Sequence, residues 1–359
     1  MYIIKLVEFL HKILAIPYLK SPDNPTSTYR KVYCFLLMLG VIYLSIWQLS
    51  GKFGDVYPIF KPSIVLLDIM VCILIAFFDI YDNTVRIFLN EKQFCRFYQK
   101  LKRIDQFLGL SATKSYFFSG IAQYKTSIIT MHAIVFATFC SDLYSNTAVM
   151  GWHVHKYNMA NFVLKYKFTW FVVHLHMSAN AIRQRFCLLN ARFHDIIRYP
   201  KCETHILNYM KCHDMLCGLI EFVNDTYSFQ ILILEKIIAL HVIETTCLCL
   251  WFASENFNAV TFLNNFVWSV DFMICGALIC FSLGKASAAA QRMVVLCQNA
   301  HCNTKNPVKR KILMQFSKQV VLTEPDFCCL GFVSVNYSLF LKLLTSICNY
   351  IVIVLQFDE

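Results

Sequence analysis

Charge is scarce in this chain. Only 15% of its 359 residues are Asp, Glu, Lys or Arg, against about 25% in soluble domains. A soluble fold of this size needs more charge for its surface, so an ordinary globular protein is excluded. Glycine and proline are also few, 10 and 8, which excludes collagen-like and low-complexity chains. Nucleotide-binding glycine patterns are missing: there is no Gly-x-Gly-x-x-Gly and no Gly-Lys-Ser/Thr. Gly-x-Ser-x-Gly and His-Glu-x-x-His are missing too. The chain is therefore read as a non-enzyme without a cofactor. What abounds is hydrophobic side chain, 57% of the total against about 45–50% in soluble domains. Lipid must serve as part of its solvent.

Seventeen cysteines invite a disulfide reading, but none lies in the expected outer loops, and the rest fall in spans or cytosolic segments where thiols stay reduced. The pairs Cys247/Cys249 and Cys328/Cys329 lack zinc-site spacing. The His-x-His pairs, His153/His155 and His174/His176, read as loop or packing residues, and no metal site is expected.

A bilayer core takes about 20 apolar residues as helix, because a backbone there must satisfy its own hydrogen bonds. Such segments occur at 32–49, 63–81, 121–142, 159–180, 230–252, 266–284 and 330–357. The third and fourth are the weakest, interrupted by Lys125 and by Lys165 with Lys167. Basic residues orient the chain, since positive loops resist translocation. Segments 1–31, 82–115, 181–228 and 285–327 hold 25 of the 33 Lys and Arg, and the opposite segments hold 3. The amino terminus is thus placed in the cytoplasm and the carboxyl terminus outside. Topology accounts for the net charge of +11, and nucleic acid is not needed as a partner.

Residues 1–31 form a cytoplasmic segment. In it Ile3, Leu6, Leu10, Ile13 and Leu14 share one helical face, as in a helix lying on the inner leaflet. The inner segments are long and helical in pattern. Residues 86–108 set Ile87, Phe94, Phe97, Leu101, Ile104 and Leu108 near one face. Residues 205–230 do the same with Leu207, Met210, Leu216, Leu219, Ile220 and Val223. Pro307 and Pro325 bracket a short amphipathic helix. The fold class is an all-α membrane protein of seven transmembrane helices, extended into a cytosolic anchor and forming a single domain over 1–359.

Ionisable and polar groups inside spans are costly, so each is a functional candidate. Asp68, His132, Tyr166, Trp170, Glu244, Trp268 and Asp271 fall in the middle or outer halves of spans two to six. Together they would line an outward pocket for a small hydrogen-bonding or aromatic ligand. The structural alternative is that Asp68 or Asp271 pairs with Lys165 or Lys167 and fixes helix packing. In the last span Ser338, Lys342, Thr345, Asn349 and Gln356 recur at steps of 4, 3, 4 and 7, one polar stripe. It faces either a water-filled axis between subunits or a polar seam between helices of one subunit.

The end of that span reads Asn349, Tyr350, Ile-Val-Ile-Val-Leu (351–355), Gln356, Phe357. It resembles the seventh-helix signature of the insect gustatory receptors, relatives of the odorant receptors: Thr-Tyr, five hydrophobic residues, Gln-Phe, with Asn349 in place of Thr. Segments 314–340, 219–232 and 185–196 also resemble that family. The resemblance implies a homo- or heterotetrameric, ligand-gated, weakly selective cation channel in the plasma membrane of a sensory neuron. Its seventh helices would surround the pore, and a tastant (a sugar or a bitter compound) would bind in the outward pocket. Gln356 and Phe357 would then stand at the outer gate, Ile353 one turn below and Tyr350 behind, with Asn349 at the Thr position. The rivals are a seven-helix receptor coupled to a G protein, which needs the opposite orientation, and a small-solute transporter, which needs repeats with broken helices.

Overall fold

Helices dominate because lipid offers the backbone no hydrogen bonds. The computed structural model describes residues 28–84, 91–110, 116–151, 155–199, 202–254, 259–323 and 325–357. The expected interfacial helix within 1–31 lies almost wholly outside the described residues. Along the described chain run α1 (Thr28–Asp55), a 3-10 turn (Tyr57–Ile59), α2 (Pro62–Thr84), α3 (Glu91–Phe107) and α4 (Tyr116–Met150). They are followed by α5 (His155–Ile196), α6 (Glu203–Ser254), α7 (Ala259–Asn303), α8 (Pro307–Thr323) and α9 (Tyr337–Phe357). Between α8 and α9 sits a hairpin of β1 (Cys328–Cys329) and β2 (Val333–Ser334), paired antiparallel.

The apolar segments fall in α1, α2, α4, α5, α6, α7 and α9. Four of these helices, within Lys31–Gly54, Pro62–Thr84, Ala259–Asn303 and Tyr337–Gln356, are apolar enough to cross a bilayer by length and composition alone. The others carry charges that need partners. Lys165 and Lys167, the interruptions in the fourth segment, meet Asp271 and Asp79, each at 2.7 Å. A buried lysine facing a carboxylate at that distance no longer forbids a span.

The helices α5, α6 and α7 pack pairwise at the centre. On α5 the buried stripe runs Phe168, Phe171, Leu175, Ala179, Ile182, Phe186, Leu189, Phe193. Its steps of three and four residues keep one face inward from the membrane into the cytosolic extension. The same continuity holds on α6 and α7, so the anchor is made by spans prolonged below the bilayer.

The inner helices follow their expected faces with one shift. Phe97, Leu101, Ile104 and Leu108 are buried on and just beyond α3. Arg185 ties α3 to α5, donating from Nε and Nη2 to the two oxygens of Asp105 at 2.7 and 2.8 Å. Ile87 and the side chain of Phe94 lie outside the described residues. On α6 Leu207 is exposed, and Ile206, Cys212 and His213 are buried in its stead. The inward stripe is set one residue earlier at that end, where α6 packs against α3 and α8. Pro307 begins α8, and Asn306 Oδ1 accepts from the amides of Val308 and Lys309 at 2.9 and 3.2 Å, an N-cap. Lys309 Nζ donates to the carbonyls of Ile197 and Tyr199 at 2.6 and 3.3 Å, where α5 leaves acceptors unpaired.

The last span differs most from its expected bounds. Residues 330–336 are not helical: the hairpin turns through Leu330 (φ 51°) and Gly331 (φ 74°), and α9 begins only at Tyr337. Asn336 Oδ1 caps it, accepting from the amides of Ser338 and Leu339. The hairpin is pinned from α6, where Asn224 Nδ2 donates to Asp326 O at 2.9 Å and Asn224 Oδ1 accepts from Cys328 N at 3.0 Å. Gly284 of α7 lets Asn336 come close, since a Cβ there would lie 3.2 Å from the Asn336 Cα.

Candidate functional site: an outward cavity and the exposed last helix

A cavity of about 190 Å³ opens between the outer halves of α1, α2, α4, α5, α6 and α7. Each helix presents a stripe fixed by its periodicity. From α2 come Ile64, Asp68, Val71 and Ile75; from α6, His241, Glu244, Leu248 and Phe252; from α7, Asn264, Trp268 and Phe272. On α5 the cavity face is Asn161, Phe162 and Lys165.

Three sequence candidates, Asp68, Glu244 and Trp268, thus share one cavity. Asp68 is committed to neighbours. Lys52 Nζ donates to both its oxygens at 2.9 and 2.8 Å, and the Tyr57 hydroxyl donates to Oδ2 at 2.6 Å. Lys52 counted as an outer-loop cation in the sequence, and its role was not evident there. Glu244 is 5% exposed, with Oε2 at 3.1 Å from His241 Nδ1 one helical turn earlier. Its His241 partner was also missed, although an i,i+3 acid–imidazole pair is visible in the sequence. Towards the outer mouth, Asn264 Nδ2 and Asn146 Nδ2 donate to Asp142 at 3.1 and 2.9 Å, and Ser141 donates to Asn264 at 2.8 Å.

The other four candidates sit elsewhere. Asp271, 2% exposed, does not line the cavity; it backs Lys165. The Lys165 ammonium lies 3.3 Å from the Phe272 ring centre, so it is held by a carboxylate and an aromatic face together. Here the structural alternative holds for Asp271. Asp68 also makes an ion pair, but with Lys52 rather than Lys165 or Lys167. His132, Tyr166 and Trp170 gather between α4 and α5, with His132 Nε2 at 3.0 Å from Tyr166 Oη. They line a separate void of about 10 Å³. Tyr166 is one residue past Lys165 and so points about 100° away from the cavity face. His174 and His176 bond Tyr227 and Ser282 as packing residues.

The helix α9 leans on α6 and α7 through Leu343, Ile347, Ile351 and Val354. Its polar stripe is turned the other way: Ser338, Lys342, Thr345, Asn349 and Gln356 are all exposed on the protomer. Tyr350 and Ile353 are exposed as well. Phe357 closes the helix, and its side chain lies outside the described residues. Among the described residues, the polar seam within one subunit is thus not observed. By contrast, the outward stripe of α2, Leu66, Met70, Ile73 and Phe77, is wholly apolar, as lipid requires.

The sequence profile described as 7tm Chemosensory receptor matches residues 10–359. The chain belongs to this family. No curated protein matches it. In structure, this chemosensory receptor is similar to the insect olfactory receptor OR5 from Machilis hrabei, with a TM-score of 0.65 at 14% identity over 98% of this chain and 99% of that one. It is also similar to OR5 in complex with eugenol, with a TM-score of 0.57 at 13% identity, covering 99% of this chain and 98% of that one. The receptor has the seven-transmembrane insect receptor fold and is a multi-pass membrane protein, not an enzyme.

Proposed function

We propose that this chemosensory receptor is a gustatory receptor working as a ligand-gated, weakly selective cation channel in the plasma membrane of a sensory neuron. Four chains, identical or related, would bring their α9 helices around one water-filled axis. The observation that carries the reading is the exposed polar stripe of α9, which faces none of the described helices of its own subunit. Against lipid each such group would be costly; along an aqueous pore it is hydrated. A tastant in the outer cavity would open the pore only by binding the open state more tightly than the closed one. A small organic ligand is in keeping with the similar olfactory receptor in complex with eugenol.

Gln356 and Phe357 would form the outer gate, with Ile353 one turn below and Asn349 and Tyr350 beneath. Narrow apolar rings exclude hydrated ions, and the absence of a carbonyl filter sequence fits weak selectivity. The test is ligand-evoked cation current from the purified chain in a planar bilayer. Phe357→Ala is expected to raise the unliganded current several-fold. A variant as silent as the parent removes Phe357 from the gate, and folded, ligand-bound protein without conductance defeats the channel reading.

A further inference from the structure

The outer cavity has an uneven charge. Its two lysines are both taken, Lys52 by Asp68 with Tyr57, and Lys165 by Asp271. Glu244 remains, lining the cavity at 5% exposure. Among the described residues, the one group seen to bond it is the His241 imidazole at 3.1 Å, which carries no permanent charge. The titratable groups that face this region are Lys52 and Tyr57 before α2, Asp68 and Cys72 on α2, Asp142 on α4, Lys165 on α5 and His241 on α6. None of them supplies an uncommitted permanent cation. A carboxyl group withdrawn from water in such a site has no fixed cation to hold it ionised, and a cationic ligand would supply one. An anionic ligand would worsen this, and a neutral polyol would leave it unchanged.

Among the aliphatic and amide side chains of the rest of the wall stand the aromatic rings of Phe60, Phe162, Phe252 and Trp268. Aromatic faces favour both apolar bodies and organic cations. A cavity of about 150 Å³ takes up benzene, so the volume here suits a single ring with a short arm.

We propose that the outer cavity is a site for a small aryl-alkyl amine, bound as its ammonium ion, with the cationic nitrogen against Glu244 and the ring against Trp268 and its aromatic neighbours. This rests on the receptor reading of the same cavity and names its ligand class.

The test compares 2-phenylethylammonium with 2-phenylethanol, nearly equal in shape but differing by one charge. Binding to the full chain in nanodiscs at pH 7 is measured by calorimetry. The amine is expected to bind about tenfold or more tightly than the alcohol, as a buried charge pair would give. In Glu244→Gln that preference is expected to fall to about twofold or less. Equal binding of the two, tighter binding of the alcohol, binding of neither, or an undiminished preference in a folded Glu244→Gln overturns the proposal. The wild-type comparison needs no variant, so a misfolded mutant cannot rescue it. Bilayer current separates the two claims. Amine-selective binding without current under any condition would remove the channel and keep the ligand class. Current evoked by neutral solutes without amine preference would do the reverse.

Discussion

Lys165 and Asp271 show what a single charged residue in a span is worth. The pair is buried on both sides at 2.7 Å, and taking one member away leaves the other alone in a medium that cannot solvate it. Asp271→Asn is expected to cost about 3–5 kcal/mol, read as a lower melting temperature and a smaller yield of folded receptor. Lys165→Met with Asp271→Leu is expected to recover most of that loss, because an apolar pair replaces the ion pair without an orphan charge. If Asp271→Asn melts like the parent, the pair is not structural. The sequence marked Asp271 and Lys165 as costly in lipid, but not which faces which. That depends on helix rotation, and one residue of difference separates Lys165 at the cavity from Tyr166 on the α4 side.

His213 gives a second test at this scale, in the cytosolic part of α6. It is fully buried between the rings of Phe186 and Phe316, with Nε2 at 3.2 Å from the Ala290 carbonyl and Nδ1 at 3.4 Å from Cys217 Sγ. Burial pushes its pKa down to about 4, outweighing the raising effects of the Ala290 carbonyl and Asp214. The unfolded chain gains a proton near pH 6.5 that the folded chain accepts only near pH 4. The stability is therefore complete above pH 6.5 and is lost as pH falls through that window, by up to about 3 kcal/mol. Thermal melts of detergent-solubilised receptor are expected to shift downward from pH 7 to pH 5, and less so in His213→Gln. Equal shifts in both would assign the pH response elsewhere.

At the scale of elements, the long apolar runs and the amphipathic inner helices were legible because lipid and helical periodicity leave few options. The hairpin at 328–334 was not. Residues 330–334 read as the start of the last span, and only the left-handed turn at Leu330 and Gly331 and the Asn336 cap mark the break. The clamp comes from Asn224, a hundred residues away, whose sequon with Thr226 looks like a glycan acceptor on paper. Its amide is instead occupied at both ends by the chain around the hairpin. Asn224→Ala is expected to cost about 1–3 kcal/mol by orphaning the Cys328 amide and leaving the Asp326 carbonyl only the weak Cys328 thiol as donor. The loss should show as faster hydrogen exchange at Cys328, with no change in electrophoretic mobility because no glycan is removed. Unchanged exchange would mean the hairpin holds itself.

On the scale of the whole molecule, the two outward stripes of α2 and α9 define what surrounds the protomer. One is apolar from Leu66 to Phe77; the other carries Ser338 to Gln356. A lone chain in lipid has no use for the second, and a ring of chains sharing an aqueous axis does. The polar spacing was legible in the sequence, but its direction was not, since periodicity alone serves a seam within one subunit equally well. The decisive measurement is modification of Asn349→Cys, in a Cys348→Ser background, by a charged water-soluble thiol reagent during ligand-evoked current. The thiol is expected to react and the current to change irreversibly, while Ile73→Cys on the apolar stripe gives no response. A thiol at 349 that never reacts, or reacts without altering conduction, would place α9 away from the ion path and rule out a pore lined by its polar stripe.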